Sequence, residues 1–244
     1  MFLKQVIIQN KNSIIRDIHF HKGINLIVDE TPVGSSQQAT GNNVGKTTVL
    51  RLVDYCFGAD GKNIYQDTEF NKQPNTTIEN FLKDNEIIIT VVLVDNLDGS
   101  KEEVIIRKNF LPRNRKLQEI NGENITDNKA FDKKLKEVIF KSEVDKPTFK
   151  QIISKNIRDE KNKMANIVKV LNSFTRIEEY EALYLFWLGI STDSHNQKEL
   201  LSKEKTREEN FQKRLKKDGE LSLIEQQLIL LNTIIEELNL RKNK

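Results

Sequence analysis

The chain has 244 residues, of which 31% are charged and 37% hydrophobic, and its 39 basic and 36 acidic side chains give a net charge of +3. This composition is typical of a folded protein with solvated faces. The net charge is too small to indicate by itself what kind of partner the protein binds. The single cysteine, Cys56, excludes an intramolecular disulfide, and the most apolar run, Ala182 to Ile190, is too short to span a membrane. We therefore predict a cytoplasmic protein with no membrane partner.

Three short runs rich in β-branched residues come first. Phe2 to Gln9 and Ile14 to His21 are separated by turn-forming side chains, which predicts a hairpin. The third run, Ile24 to Val28, is predicted as a strand that leads into a polar loop. Arg16, on the second run, is a candidate to reach a nucleotide bound at that loop, and a solvated strand residue is the alternative.

The polar loop contains the main functional motif. It ends in Gly-Lys-Thr-Thr, which is followed by apolar residues at helical spacing. Glycines let backbone N–H groups face a polyphosphate, a lysine reaches the terminal phosphates, and the next hydroxyl can bind Mg²⁺. We therefore predict a site for ATP and Mg²⁺. Its predicted nucleotide-binding residues are Gly41, Asn42, Asn43, Val44, Gly45, Lys46, Thr47 and Thr48.

Within this motif Lys46 is the predicted catalytic cation and Thr47 the predicted Mg²⁺ ligand. One position departs from the full pattern G-x-x-x-x-G-K-[ST], because Thr40 stands where the first glycine belongs and Gly41 comes one residue later. A polar loop that binds no ligand is the alternative interpretation.

The next two predicted strands are Glu86 to Val94 and Glu103 to Lys108, with an Asp/Asn/Gly-rich turn between them. Asp95 ends an apolar run, as does the acid of a Walker B strand, which positions Mg²⁺ and water. However, Asp95 also opens the turn of a pattern that is typical of an antiparallel hairpin. We favour the hairpin and keep Asp95 as a minor candidate for binding a metal.

A basic segment, Arg107 to Lys116, holds five basic residues and one aromatic, Phe110. This mixture suits contact with a nucleic-acid backbone, and a solvated charged run is the alternative. Asn121-Gly122 then predicts another hairpin, and a helix is predicted from Lys129 to Ile139. The following segment, Asp145 to Arg158, is ambiguous between strand and short helix.

From Ile167 onward the pattern is helical. Glu178 to Ile190 holds the only tryptophan, Trp187, and we predict that this helix is buried against the sheet. A heptad seam follows with spacing 4, 3, 4, 3, formed by Ile224, Leu228, Leu231, Ile235 and Leu238. It predicts the start of a coiled coil that needs a helix from a partner or from a continuing polypeptide. The predicted domains are residues 1–195 and 196–244.

Over about residues 1–190 the chain resembles the N-terminal lobe of an SMC-like (structural maintenance of chromosomes) ABC-type ATPase head, within the wider AAA family. The resemblance is most specific within residues 23–58, in Gly23 to Val28, Asn42 to Thr47, and Leu50 to Gly58. These segments are similar to the ATPase subunits of ABC three-component and related antiphage defence systems. They are more distantly similar to the RecF and RecN repair proteins.

The resemblance implies an α/β fold, namely a P-loop NTPase lobe like that of an ABC or SMC head, with an antiparallel β-meander and a C-terminal helix that starts a coiled coil. It implies that Lys46 holds the β- and γ-phosphates, Thr47 the Mg²⁺, and Asn42 to Gly45 the backbone cradle. Gln151 lies where such heads place a Q-loop glutamine, so it is a predicted catalytic and Mg²⁺-sensing residue. Arg158 is a weaker candidate.

The resemblance also implies partners. They are a C-terminal ATPase lobe or a second head in a homodimer, DNA, and a nuclease or accessory subunit. The chain has no serine-glycine signature of the Leu-Ser-Gly-Gly type and no apolar run ending in Asp-Glu after residue 60. Since the second lobe supplies these elements in that family, we expect hydrolysis only with that lobe and with head dimerisation.

Two other functions stay open from the residues alone. One is a stand-alone P-loop NTPase or kinase that uses Asp95 as its acid. The other is a non-enzymatic interaction protein whose phosphate loop is vestigial.

Overall fold

The computed structural model of the chain describes residues 1–28, 46–66, 73–99, 101–158, 165–166, 168–171, 174–190, 195–217 and 220–242. The chain divides into two compact units, Met1–Trp187 and Leu188–Lys244. The predicted boundary at 195–196 lies slightly further along the chain. In the parts described, no helix has both the length and the apolar character needed to cross a bilayer.

The first unit is built on a six-stranded sheet. Its strands are β1 (Phe2–Gln9), β2 (Ile14–His19), β3 (Ile88–Val94), β4 (Glu103–Asn109), β5 (Gln118–Ile120) and β6 (Glu123–Asn124). Their order across the sheet is β2-β1-β3-β4-β5-β6, and every pairing between these strands is antiparallel. The predicted α/β class and antiparallel meander are therefore confirmed. A P-loop fold usually contains parallel strands, and the described strands form no parallel pair.

Strand β3 lies in the interior of the sheet because its sequence, IITVVLV, is apolar on both faces. It pairs with β1 on one side and with β4 on the other. Val91, for example, lies opposite Val6 and opposite Ile106, and all three side chains are fully buried. The predicted hairpin between β3 and β4 is confirmed.

Helices cover this sheet and supply the rest of the core. Those described in the first unit are α1 (Lys46–Cys56), α2 (Lys62–Tyr65), α3 (Thr76–Asp84), α4 (Asn128–Phe140), α5 (Phe149–Ile153) and α6 (Ile177–Trp187). Leu52, Val53 and Cys56 of α1 and Phe131 and Leu135 of α4 are buried in one cluster with the sheet. The predicted helices after the phosphate loop and near residue 130 are confirmed.

Local signals fix the ends of several elements. Asn121 and Gly122 have φ angles of 52° and 85°, which is the backbone that a two-residue hairpin turn between β5 and β6 requires. The carboxylate of Asp127 accepts a hydrogen bond from the Ala130 N–H at 2.7 Å and caps α4. The ambiguous segment around residue 150 is resolved as the short helix α5.

The predicted strand Ile24 to Val28 is wrong in this structure. These residues form no regular element, and Ile24, Leu26 and Val28 are 81%, 78% and 62% exposed. A strand needs a neighbour for its backbone N–H and C=O groups, and no described strand pairs with this run. The second predicted strand is also shorter than expected, since β2 ends at His19 rather than His21.

Helix α6 is only partly buried. Ala182 and Leu183 are fully buried, whereas Trp187 is 40% exposed. The indole ring meets the Phe140 ring at the end of α4 edge-on, with 6.0 Å between the ring centroids. The prediction that this helix is buried against the sheet is therefore wrong at its C-terminal end, where Trp187 packs on Phe140 of α4.

The second unit consists of two long helices, α7 (His195–Lys217) and α8 (Glu220–Lys242). The predicted helical tail is confirmed. The five seam side chains on α8 are each between 47% and 58% exposed, and they are Ile224, Leu228, Leu231, Ile235 and Leu238. The apolar stripe thus faces solvent along the helix.

Candidate functional site

The predicted phosphate-binding motif meets the described structure at the start of α1. Gly41 to Gly45 and the side chain of Lys46 lie outside the described residues, so their contacts are not described. The helix begins at Lys46, and its first turn contains Thr47 and Thr48 but no acidic side chain. The N–H groups of a first helical turn have no partners within the helix and carry a partial positive charge. This end of α1 therefore fits an anionic ligand.

The apolar run before the loop starts from a defined turn. The amide of Asn25 binds His21 twice, because its nitrogen donates to the His21 carbonyl at 2.8 Å and its oxygen accepts from the His21 N–H at 3.0 Å. Gly23, inside this clamp, has a φ of 85° that favours glycine. The run Ile24 to Val28 therefore leaves the hairpin at a fixed point, with its apolar side chains in solvent.

Arg16 lies on the edge strand β2, opposite Ile8, and is exposed. Its guanidinium donates a hydrogen bond to the carbonyl of Ile15 at 3.2 Å. Its contact with a nucleotide stays a prediction.

The structure places Gln151 in the first turn of α5. The side-chain oxygen of Gln151 accepts from the Thr148 N–H at 2.8 Å, which completes a capping box, and its nitrogen donates to Glu179 of α6 at 2.6 Å. The amide thus joins α5 to α6. Its role in sensing Mg²⁺ stays a prediction, as does any role of Arg158, whose guanidinium donates to the Asn166 carbonyl at 3.2 Å.

Asp95 closes the turn between β3 and β4. One carboxylate oxygen accepts hydrogen bonds from the N–H groups of Asn96, Lys101 and Glu102, at 2.9, 3.0 and 3.3 Å. This is the structural role that an aspartate takes in a turn. These contacts give Asp95 a role within the turn, and its binding of a metal stays a prediction.

The basic segment does not form one continuous charged face. Arg107 pairs with Glu119 at 3.1 Å, Arg115 pairs with Glu86, and Lys116 donates to the Thr126 carbonyl at 2.8 Å. A further member, Lys108, is buried. Four of the five basic side chains that suggested a nucleic-acid surface therefore have partners within the first unit, and DNA contact stays a prediction.

The structure reveals a pocket that the sequence analysis did not identify. Its volume is about 460 Å³, and it lies where the C-terminal end of α1 meets α2, α3, α4 and β4. Lys108 projects into the interior there, and its Nζ donates to the Tyr55 carbonyl at 2.8 Å. A signal was present, because Lys108 continues the inward alternation of Val104 and Ile106 along β4, where an apolar residue is expected.

This pocket is separate from the predicted phosphate loop. Helix α1 has 11 residues, so its two ends are about 16 Å apart at the usual helical rise. Thr47 lies at the first end, and Tyr55 and Gly58 lie at the second. The two locations could thus serve different ligands.

Comparison of the chain with known protein families finds no match, and comparison with curated proteins finds none either. The resemblance to an SMC-like ATPase head therefore depends on the motif residues themselves.

Proposed function

We propose that the chain is the ATP-binding lobe of an SMC-like ATPase that acts on DNA in bacterial genome maintenance or phage defence. The observation that carries the proposal is the start of α1 at Lys46, with Thr47 and Thr48 in a first turn free of acidic side chains. The sequence order of apolar run, polar loop and helix is that of a phosphate-binding loop, although Ile24 to Val28 forms no strand in this structure.

In this proposal the chain supplies half of a nucleotide site. Lys46 would hold the β- and γ-phosphates, the backbone of Asn42 to Gly45 would cradle them, and Thr47 would bind Mg²⁺. The metal, when bound, neutralises charge on the phosphate oxygens. The N-terminal end of α1 adds a favourable dipole for the same anion.

A second lobe would complete the site. The exposed run Ile24 to Val28 supports this, since apolar residues leading to a phosphate loop normally belong to a buried strand. The exposed seam on α8 supports a coiled-coil arm in the same way. We expect a C-terminal lobe or a second head to cover the first surface, with DNA and a nuclease or accessory subunit as further partners.

Nucleotide binding by the whole chain tests the proposal. Titration with a fluorescent ATP analogue in the presence of Mg²⁺ should show binding that weakens at least about tenfold in Lys46→Ala, the loss expected when one charged phosphate contact is removed. Lys11→Ala is the control, because it removes the same charge from an exposed lysine paired with Glu86 at 2.7 Å. Thr47→Ala should reduce the dependence of binding on Mg²⁺.

Two outcomes would favour the other functions. If the chain binds no nucleotide at millimolar concentration, the phosphate loop is vestigial and an interaction protein fits better. If the chain alone hydrolyses ATP with Mg²⁺, and both Lys46→Ala and Asp95→Asn abolish the activity, it is a stand-alone NTPase. We expect the chain alone to hydrolyse ATP barely above background.

A further inference from the structure

The pocket at the C-terminal end of α1 is built like a ligand site. Its volume of about 460 Å³ is within the range of small-molecule sites. The turn after α1 approaches α4 closely, since a Cβ on Gly58 would lie 2.5 Å from an Asp132 carboxylate oxygen. This pocket and the predicted phosphate loop lie at opposite ends of α1, so a ligand in one does not require a ligand in the other.

The wall of the pocket carries more positive than negative charge. Among the described residues, five lysines and three carboxylates line it, namely Lys62, Lys83, Lys108, Lys116 and Lys150 with Asp60, Glu79 and Asp132. Lys83 pairs with Glu79, and the Nζ of Lys150 lies 3.3 Å from a carboxylate oxygen of Asp132. The remaining excess of positive charge is close in size to the negative charge of a phosphate monoester at neutral pH.

Lys108 is the most unusual of these lysines. It is only 5% exposed, and its Nζ donates to one acceptor in the described structure, the carbonyl of Tyr55. An ammonium group has three N–H donors, and leaving donors unused in a buried place is costly. Burial lowers the pKa of Lys108 to about 8.

Lys136 shows how a buried lysine is satisfied when no ligand is needed. It is 4% exposed, does not line the pocket, and its Nζ donates to two carbonyls, those of Val144 and Pro147, at 2.5 and 2.6 Å. Lys108 is equally buried but donates to one carbonyl, faces the rings of Tyr55 and Phe131 at 4.0 and 5.3 Å from their centroids, and borders a cavity. The difference points to a ligand that supplies the missing acceptor.

An aromatic wall lies beside the lysine. The rings of Tyr55 and Phe110 stack with 4.6 Å between centroids and 11° between planes, and Lys108 Nζ lies 4.0 Å from the centroid of the Tyr55 ring. Tyr65 and Phe131 add further ring surface to the lining. Flat rings next to ammonium groups suit a molecule that has a planar ring and an anionic end.

We propose that this pocket binds a small molecule that joins a planar ring to a phosphate group. The phosphate oxygens accept hydrogen bonds from Lys108 and its neighbouring lysines, and the ring packs against the aromatic wall. The site is distinct from the predicted ATP site, and a nucleoside monophosphate has the required chemistry.

Phenyl phosphate is the probe, because it contains only a ring and a phosphate. Calorimetric titration of the full chain should show binding of phenyl phosphate that is tighter than the binding of inorganic phosphate or of phenol. In Lys108→Met the affinity should fall at least about tenfold, the usual loss for one charge-assisted contact. Lys136→Met should leave the affinity within about twofold, since it removes an equally buried lysine outside the pocket.

A rim variant keeps the test decisive if Lys108→Met does not fold. Lys62 is exposed at the pocket, so Lys62→Glu should weaken phenyl phosphate binding, whereas Lys129→Glu, at an exposed position of α4 outside the pocket, should not. No binding to the wild-type chain at millimolar probe would overturn the proposal. So would equal loss in Lys62→Glu and Lys129→Glu, or loss in Lys46→Ala, which would place the probe at the phosphate loop.

Discussion

Two apolar runs of similar composition have opposite environments in this chain. Ile88–Val94 is the buried strand β3, whereas Ile24 to Val28 is exposed and irregular. Hydrophobicity does not separate them, since both are dominated by isoleucine, valine and leucine. The difference is that β1 and β4 pair with β3 along both edges, while no described strand pairs with the first run. An apolar run becomes a strand only where neighbours receive its backbone hydrogen bonds.

Matched truncations in the two runs test this difference with the largest expected effect. Ile89 is fully buried in β3, so Ile89→Ala should lower the free energy of unfolding by about 3 kcal/mol. Leu26 is 78% exposed, so Leu26→Ala should change it by less than about 0.5 kcal/mol. Urea unfolding followed by circular dichroism measures both. An equal cost at Leu26 would show that this run is buried in solution.

Replacing three glycines by alanine tests how closely the turn after α1 packs against α4. Gly58 combines a φ of 92° with a close approach to Asp132, so Gly58→Ala should cost about 2 to 3 kcal/mol of stability. Gly122 has a φ of 85° and open space around it, so Gly122→Ala should cost about 1 kcal/mol. Gly99→Ala, with neither constraint, should be close to neutral. Thermal unfolding would contradict this account if all three variants lost the same stability.

The buried side chain of Lys108 predicts that the free energy of unfolding depends on pH, with an effect of intermediate size. Burial lowers the pKa of Lys108 from 10.5 to about 8, so the unfolded chain binds more protons than the folded chain between these values. The contribution of Lys108 therefore makes the free energy of unfolding rise with pH, by about 1 kcal/mol from pH 8 to 9.

The comparison of wild type with Lys108→Met isolates this contribution. The buried Cys56 thiol, whose pKa is raised to about 12, acts in the opposite direction above its ordinary value of 9.0. Asp132, Lys116 and Lys150 also act on Lys108 and are present in both proteins. Urea unfolding at pH 8 and 9 measures the free energy of unfolding of both proteins. The value for wild type minus the value for Lys108→Met should rise by about 1 kcal/mol over this range. An unchanged difference would contradict the prediction.

The smallest effect is expected in helix α8 of the second unit. Leu231 and Ile235 are 58% and 54% exposed, so changing both to alanine should leave the stability of the first unit within about 0.5 kcal/mol. The same double variant should reduce any self-association seen by sedimentation, because these residues belong to the heptad seam. A large loss of lobe stability would show that the seam is already buried in the folded chain.

Local chemistry made much of the fold predictable. The bounds of β1, the Asn121-Gly122 turn and the helix that begins at Lys46 follow from patterns within a few residues. The environment of Ile24 to Val28 could not be read in the same way, because it depends on strands that come from elsewhere. Lys108 raises the same difficulty, since its pocket is assembled from segments far apart in the sequence.

The candidate site was predictable only in its motif. Sequence reasoning reached the start of α1 but not the capping box of Gln151 or the turn contacts of Asp95, which depend on where neighbouring elements lie. It left Arg107 to Lys116 open between a nucleic-acid contact and a solvated run, and it did not foresee that the alternation of β4 turns Arg107 toward Glu119 and Lys108 into the interior.

The pairing of β1 with β3 has a consequence for how the chain folds. Val6 pairs with Val91, far along the chain, whereas β1 with β2 and β3 with β4 are neighbouring hairpins. Closing so long a loop has an entropic cost that short hairpins avoid. The two hairpins can therefore form first, and the pairing of β1 with β3 joins them later. During synthesis on the ribosome, the edge of β1 that pairs with β3 must therefore wait until β3 has emerged, and until then its backbone groups are open to pairing with another chain.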